Sequence, residues 1–274
     1  MSSIWRSRNL IAGAALSLAM LAVALLSLIW TPYPPTGMDF LHRLAPPSAV
    51  HPFGTDSFGR DVLSMIMTGA QSSLTVSLIA VAVGAGIGVP LGALAASRGG
   101  LLDDVVMRGC DLAFAFPALL TAVMITALAG PGAVNAMLAI GIFNIPVFAR
   151  VTRGAARGVL VREFVLAART AGRSDTAIVL IHVLPNIAAV LMVQATIQFA
   201  LAIVADAGLS YVGLGVQPPQ PSWGRMLNEA QTFIWRAPLL AVFPGLAITL
   251  AVLGLNLLGD GMQDLLDPRL RRAR

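Results

Sequence analysis

Long stretches of this chain carry no charge at all. Leu10 to Trp30 is one such run, Val62 to Ser97 a second and Leu112 to Ala149 a third. A run of about 20 apolar residues crosses a bilayer as a helix. With every backbone group needing an internal partner in lipid, helices are the natural solution for such runs. Composition agrees: 57% of the 274 residues are hydrophobic and 11% are charged, against about a quarter charged in a soluble domain. The fold class expected is an all-α integral membrane protein.

Six transmembrane helices follow from the pattern. The first is Leu10 to Trp30, closing on the interfacial Trp30-Thr31-Pro32-Tyr33 rather than on the small residues of a signal-peptide cleavage site. Residues 31–73 read as an external segment ending in an interfacial helix, because Ser64, Thr68, Gln71, Ser72 and Ser73 make its end polar. A second span is expected near 74–96. Leu112 to Ala149 is too long for one crossing and breaks at Gly130-Pro131-Gly132 into a two-helix hairpin. A fifth span is expected near 187–207 and a sixth from Ala237 to Gly259. Residues 1–30 thus form an anchor helix, and 74–274 a five-helix core interrupted by a loop at 150–186.

Orientation follows from arginine, since there is no lysine. With the N-terminus inside, fourteen of the 18 basic residues fall in cytoplasmic segments, and only Arg43, Arg60, Arg225 and Arg236 fall outside. Basic loops stay cytoplasmic, so both termini are expected in the cytoplasm. The same distribution assigns the basic pI to membrane orientation and gives no reason to expect a nucleic-acid partner. The missing lysine also excludes a Walker A loop and a Schiff-base lysine in this chain. Cys110 has no partner for an internal disulfide, the three histidines lack metal-ligand spacing, and no HExxH or GxSxG motif occurs. A non-catalytic subunit with no cofactor of its own is expected.

The loop at 150–186 holds six arginines. Arg150, Arg153 and Arg157 share one helix face, where they can anchor at lipid headgroups. The segment from Val161 is helix-prone and ends at Gly172, a C-cap. Ser174 or Asp175 can cap the helix that follows. Ala167, Ala168 and Gly172 are small enough for another protein to approach the backbone closely.

The order Phe164-Val165-Leu166-Ala167-Ala168-Arg169-Thr170-Ala171-Gly172, then Ile181-His182-Val183-Leu184-Pro185-Asn186, resembles the EAA loop of ABC-importer permeases of the dipeptide/oligopeptide/nickel family, C-type subunit. Three further stretches resemble the same family in the same order. They are His51 to Ser64, Leu209 to Gly224, and Gly259-Asp260-Gly261 to Leu270. Leu166 departs from the pattern, standing where the loop's name expects glutamate, with Glu163 one turn earlier.

The resemblance implies a type I importer architecture in a bacterial inner membrane and a role in ATP-driven import of di- or oligopeptides. Nickel chelates or another small solute are the alternative cargo, and a self-contained secondary transporter is the rival class. It implies a heterodimer with a second homologous permease, two ATP-binding subunits that hold ATP and Mg, and an external substrate-binding protein. Contact with the ATPase is expected from Glu163, Phe164, Ala167, Ala168, Arg169, Gly172, Arg173, Ser174 and Asp175.

Polar groups inside spans are candidates for the pathway. On span five these are Gln194, Gln198 and Asp206, and on span six Asn256. They can line a path or bond to a neighbouring helix. Asp111 is expected to pair with Arg108 one turn away. Thr55-Asp56 and Arg60-Asp61 are expected to form caps and exposed ion pairs that order the outer loop. Trp223 and Trp235 are expected at interfacial depth.

Overall fold

The structure, a computed structural model, describes residues 8–266. The tail motif from Asp267 onward and Arg6 lie outside the described residues. Ten α-helices make up the described chain: α1 (Arg8–Leu26), α2 (Val62–Arg98), α3 (Gly100–Phe114), α4 (Ala118–Ala129), α5 (Ala133–Leu160), α6 (Glu163–Thr170), α7 (Asp175–Ile178), α8 (Leu184–Tyr211), α9 (Trp223–Ala230) and α10 (Leu239–Leu266). A π-helical turn, Val179–Val183, joins α7 to α8, so that Asp175–Tyr211 runs without a gap.

Five helices are long and apolar enough to cross a membrane, and α3 with α4 makes a sixth if that pair, bent by 86°, is one broken span. The bend lies at Ala115-Phe116-Pro117, which the sequence reading passed over. Pro117 cannot donate to the helix before it, and it biases Phe116 away from helical backbone. The 12 residues of α4 reach only about 18 Å at ~1.5 Å each, short of a hydrocarbon core of about 30 Å. The break at Gly130-Pro131-Gly132 stands where expected. There Asn135 Nδ2 donates to Ala129 O (3.0 Å) and Gly130 O (2.8 Å), which satisfies the end of α4.

The polar turns at 62–73 do not form a separate interfacial helix. They are the first part of α2, which runs unbroken for 37 residues. Thr68 Oγ1 donates to Ser64 O (3.0 Å) and Ser72 Oγ to Thr68 O (3.3 Å), so these hydroxyls are satisfied by their own helix. Asp61 caps it, accepting from Ser64 N (2.8 Å).

Small residues set the helix spacing. Gly84, Gly88 and Gly92 recur every fourth position on α2 and press against α5. A Cβ at Gly84 would lie 2.3 Å from Asn144 Cβ, at Gly88 2.4 Å from Ile145 O, and at Gly92 2.2 Å from Ala149 O. This is small-residue packing as it occurs in membranes, where dispersion and close approach replace the hydrophobic effect between helices. The same device joins α1 to α10: a Cβ at Gly13 would lie 2.2 Å from Leu258 N. The helix expected as a separate anchor is therefore packed into the bundle. Three buried clusters result. One joins α1, α2, α8, α9 and α10 around Met65, Ile203 and Trp223. A second joins α2, α4, α5 and α8 around Val76, Ile140 and Phe148. A third sits where α5, α6, α7 and α8 meet.

Candidate functional site: a coupling surface and a cavity between helices

The third cluster is the seat of the basic loop. Val165 is the buried residue of α6 and packs with Ala156, Val159, Ile178, Val183 and Ile187. The rest of α6 faces outward: Glu163, Phe164, Leu166, Ala167 and Arg169 are exposed and Ala168 is half-buried. Its end is a complete Schellman turn. Arg173 N donates to Ala168 O (3.2 Å), Gly172 N to Arg169 O (3.0 Å), and Gly172 has φ +80° with open space around its missing Cβ. Ser174, not Asp175, caps α7 by accepting from Ala177 N (3.3 Å). Asp175 instead pairs with Arg169 across the turn at 3.3 Å, both side chains about half exposed. The nine coupling candidates therefore lie on one short helix, its cap and the start of the next. The ring of Phe164 meets His182 edge-on at 6.1 Å between centroids.

Arg150, Arg153 and Arg157, the first part of the expected loop at 150–186, lie on α5, which runs on to Leu160. Each has an acidic partner on α3. Arg153 pairs with Asp103, and Arg157 Nη2 reaches the same carboxylate at 2.6 Å. Arg150 pairs with Asp111 and also lies over the Phe114 ring, 4.5 Å from its centroid. Asp111 thus pairs across helices with Arg150, not one turn away with Arg108. A charge on a span's last turns pairs best with whichever helix the bundle places opposite it, and spacing along one helix cannot show that.

Of the four pathway candidates, Gln198 lines a cavity between helices. This cavity, about 230 Å³, lies between α4, α5 and α8 and is lined by Ala118, Leu119, Ala122, Phe143, Asn144 and Gln198 among others. Gln198 Nε2 donates to Asn144 Oδ1 at 3.0 Å, and both residues are 5% exposed. Asn144 Nδ2 has no partner in the chain. A buried amide donor left without an acceptor costs about 1–3 kcal/mol, so an acceptor entering this cavity is favoured. Gln194 is half-buried and Asn256 is exposed on α10. Asp206 is fully buried beside Ser73 and Ser210, with neither carboxylate oxygen hydrogen-bonded. It lies away from the cavity lining. The sequence reading missed Asn144, although a lone amide in the apolar run Phe143-Asn144-Ile145 was the signal that could have found it.

The opposite end of the bundle is built differently. Arg60, 4% exposed, is sandwiched between Asp56 (2.6 Å) and Glu229 of α9, and Glu229 also holds Arg225 at 2.8 Å. Arg60 was expected in an exposed local pair with its neighbours; instead it is buried, and α9 supplies its second carboxylate. Trp223 is fully buried, not interfacial, and its Nε1 donates to Ile66 O at 3.1 Å. Trp235 stays 98% exposed. Gly224 lets α9 lie on α8, where a Cβ would meet Ala207 O at 2.2 Å. In the Gly- and Pro-rich loop at 212–222, Gly215, Val216, Pro221 and Ser222 are buried, while Pro218, Pro219 and Gln220 are exposed. In the segment between α1 and α2, Asp39 accepts from His42 Nδ1 (2.7 Å), which with the Leu41 amide holds its carboxyl below the usual range. Among the described residues no group of His, Cys, Asp or Glu could hold a metal ion.

Comparison with known proteins bears on this arrangement directly. The family model described as "Binding-protein-dependent transport system inner membrane component" matches residues 88–272. The chain is 43% identical over 269 residues to the glutathione transport system permease protein GsiD of Escherichia coli O157:H7, covering 97% of this chain and 89% of that one. It is 43% identical over 230 residues to the dipeptide transport system permease protein DppC of Alkalihalophilus pseudofirmus, covering 84% and 76%. In fold it is similar to a solved structure of the methionine ABC transporter MetNI in inward-facing conformations. That match has a TM-score of 0.57 and 19% identity, and covers 76% of this chain and 95% of that one. The matched segment takes in the α5–α8 coupling surface and both walls of the amide pair. This chain belongs to the binding-protein-dependent transport system inner membrane components, the multi-pass permease subunits of ABC importers.

Proposed function

We propose that this permease forms one wall of a pathway that admits peptide-sized cargo, di- or oligopeptides including glutathione-like tripeptides. The relatives named for glutathione and for dipeptides support that range. A second, homologous permease supplies the other wall. Two ATP-binding subunits, holding ATP and Mg, dock from the cytoplasm, and a substrate-binding protein delivers cargo from outside. Both termini and the α6–α7 turn lie on the cytoplasmic side, consistent with the arginine distribution.

The observation that carries this reading is the construction of α6. One buried residue, Val165, ties it to the ends of two spanning helices, while its small and apolar outer face is left open. A push on that face is transmitted to α5 and α8 as a rigid body, because the cluster beneath is closely packed. ATP-driven closure of the ATPase pair moves α6; α5 and α8 follow, and the cavity they line changes its opening. This chain does no covalent chemistry.

The test is reconstitution in liposomes. The purified chain alone should show no ATPase activity and no peptide uptake, and adding the second permease, the two ATPases and the binding protein should produce both. Uptake by the lone chain driven by a proton or sodium gradient would overturn the proposal. Cysteines placed at positions 36, 132 and 220 should label from outside, and those at 100, 160 and 272 from inside.

A further inference from the structure

The cavity between α4, α5 and α8 has an unusual polar content for its depth. Asn144 and Gln198 are the polar members of its lining, the remainder being alanine, leucine, isoleucine, valine and phenylalanine. The two amides bond to each other once, at 3.0 Å. That single bond leaves the Asn144 Nδ2 amide, with both its N–H groups, without a partner among the described residues. It also leaves one carbonyl acceptor, Gln198 Oε1, with no hydrogen bond in the chain. Exchanging the O and N of both amides gives the same result, an unpartnered NH2 beside an unpartnered carbonyl. Such a pair is complementary to a single peptide group, which offers one acceptor and one donor. A carboxylate or an ammonium would meet no opposite charge there, since no charged side chain lines the cavity. Gly84 makes the arrangement possible, since a Cβ there would lie 2.3 Å from Asn144 Cβ and displace it. The alanines at 118, 122, 202 and 205 leave room beside the amides.

We propose that Asn144 and Gln198 together form a backbone-reading site, which hydrogen-bonds a peptide group of the cargo as it passes and ignores its side chains. This rests on the reading of the chain as a peptide permease. Specificity for side chains then has to be set before the cargo reaches this cavity. The permease itself selects for amide linkage, because a cargo without an N–H and a strong carbonyl leaves the buried pair unsatisfied.

The assembled transporter, reconstituted with its binding protein, tests this with trialanine and with its depsipeptide analogue, in which the central N–H is replaced by oxygen. Uptake of each is measured at saturating cargo for the wild type, for Gln198→Met and for Asn144→Ala, and assembly is followed by copurification of the other subunits. The binding protein's own preference cancels when the amide-to-ester uptake ratio is compared between variants. That ratio should fall about tenfold in Gln198→Met, which removes the acceptor of the cargo N–H, and by less in Asn144→Ala, which removes the donor to a carbonyl that amide and ester both carry. It should fall equally for trileucine and its ester. A ratio unchanged from wild type in both variants, with trialanine still imported, overturns the site and leaves the peptide reading intact. Absence of trialanine uptake by the wild type overturns both. Loss of the second permease from both variants on copurification overturns the site by assigning the amide pair to the subunit interface.

Discussion

The two ends of this bundle solve the same problem in opposite ways. At the α9 end, charges are buried and paired within the chain: Arg60 lies between Asp56 and Glu229, covered by α9. At the α6 end, charges are left about half exposed, as in Arg169–Asp175, and the apolar Phe164 and Leu166 are 42% and 48% exposed. The first arrangement is complete in itself. The second lacks a partner, and its single buried anchor holds it in place without covering it. The α9 end is closed structure, and the α6 face is an open surface.

The largest expected effect comes from breaking the finished end. Arg60→Ala leaves the buried Asp56 without its ion-pair partner and the half-buried Glu229 with Arg225 alone, and losing one member of a buried charge pair costs about 3–5 kcal/mol. A thermal unfolding curve in detergent should shift down strongly. A shift no larger than that of a surface alanine would mean that the network is wetter than its burial implies.

Next is the turn that closes α6. Gly172 has φ +80°, a conformation that costs a side-chain-bearing residue about 1–2 kcal/mol. Nothing in the chain lies within 4 Å of an added Cβ there, so any further effect reports on a partner. Gly172→Leu should leave the transporter folded but uncouple ATP hydrolysis from uptake, whereas Gly172→Asn, which tolerates this backbone, should retain most coupling. Equal uptake by both variants would place docking elsewhere.

The smallest effect is expected at the exposed pair. Arg169→Ala removes a half-exposed ion pair worth under about 1 kcal/mol, so stability of the isolated chain should barely change. Weaker copurification of the ATPase in that variant, together with an unchanged melting curve, would sharpen the contrast between the two ends. A large loss of stability would erase it.

Much of this was legible beforehand, for a local reason. Apolar run length, the Gly130-Pro131-Gly132 break and the Gly172 cap depend on residues near one another in the chain, and each stands where expected. Pairing partners were not legible. Asp111 meets Arg150, Arg60 meets Glu229, and Gln198 meets Asn144, each across a gap that only packing closes. The polar start of α2 was misread because side chains bonding their own helix look, in sequence, like side chains seeking water.

The sequence by itself determined that this chain lives in a membrane, that it is helical, and that its α6 segment carries a surface of small residues. Composition and helix periodicity are properties of short windows, and lipid leaves few other ways to satisfy a backbone. The tertiary structure alone decided which polar groups are inside and which face a cavity. Gln194, Gln198 and Asp206 share one helix, yet the packing of α2, α4 and α5 around it leaves the first half-buried, sets the second in a cavity wall and seals the third in the bundle. The physical reason is that a helix offers all its faces equally, and only its neighbours choose among them.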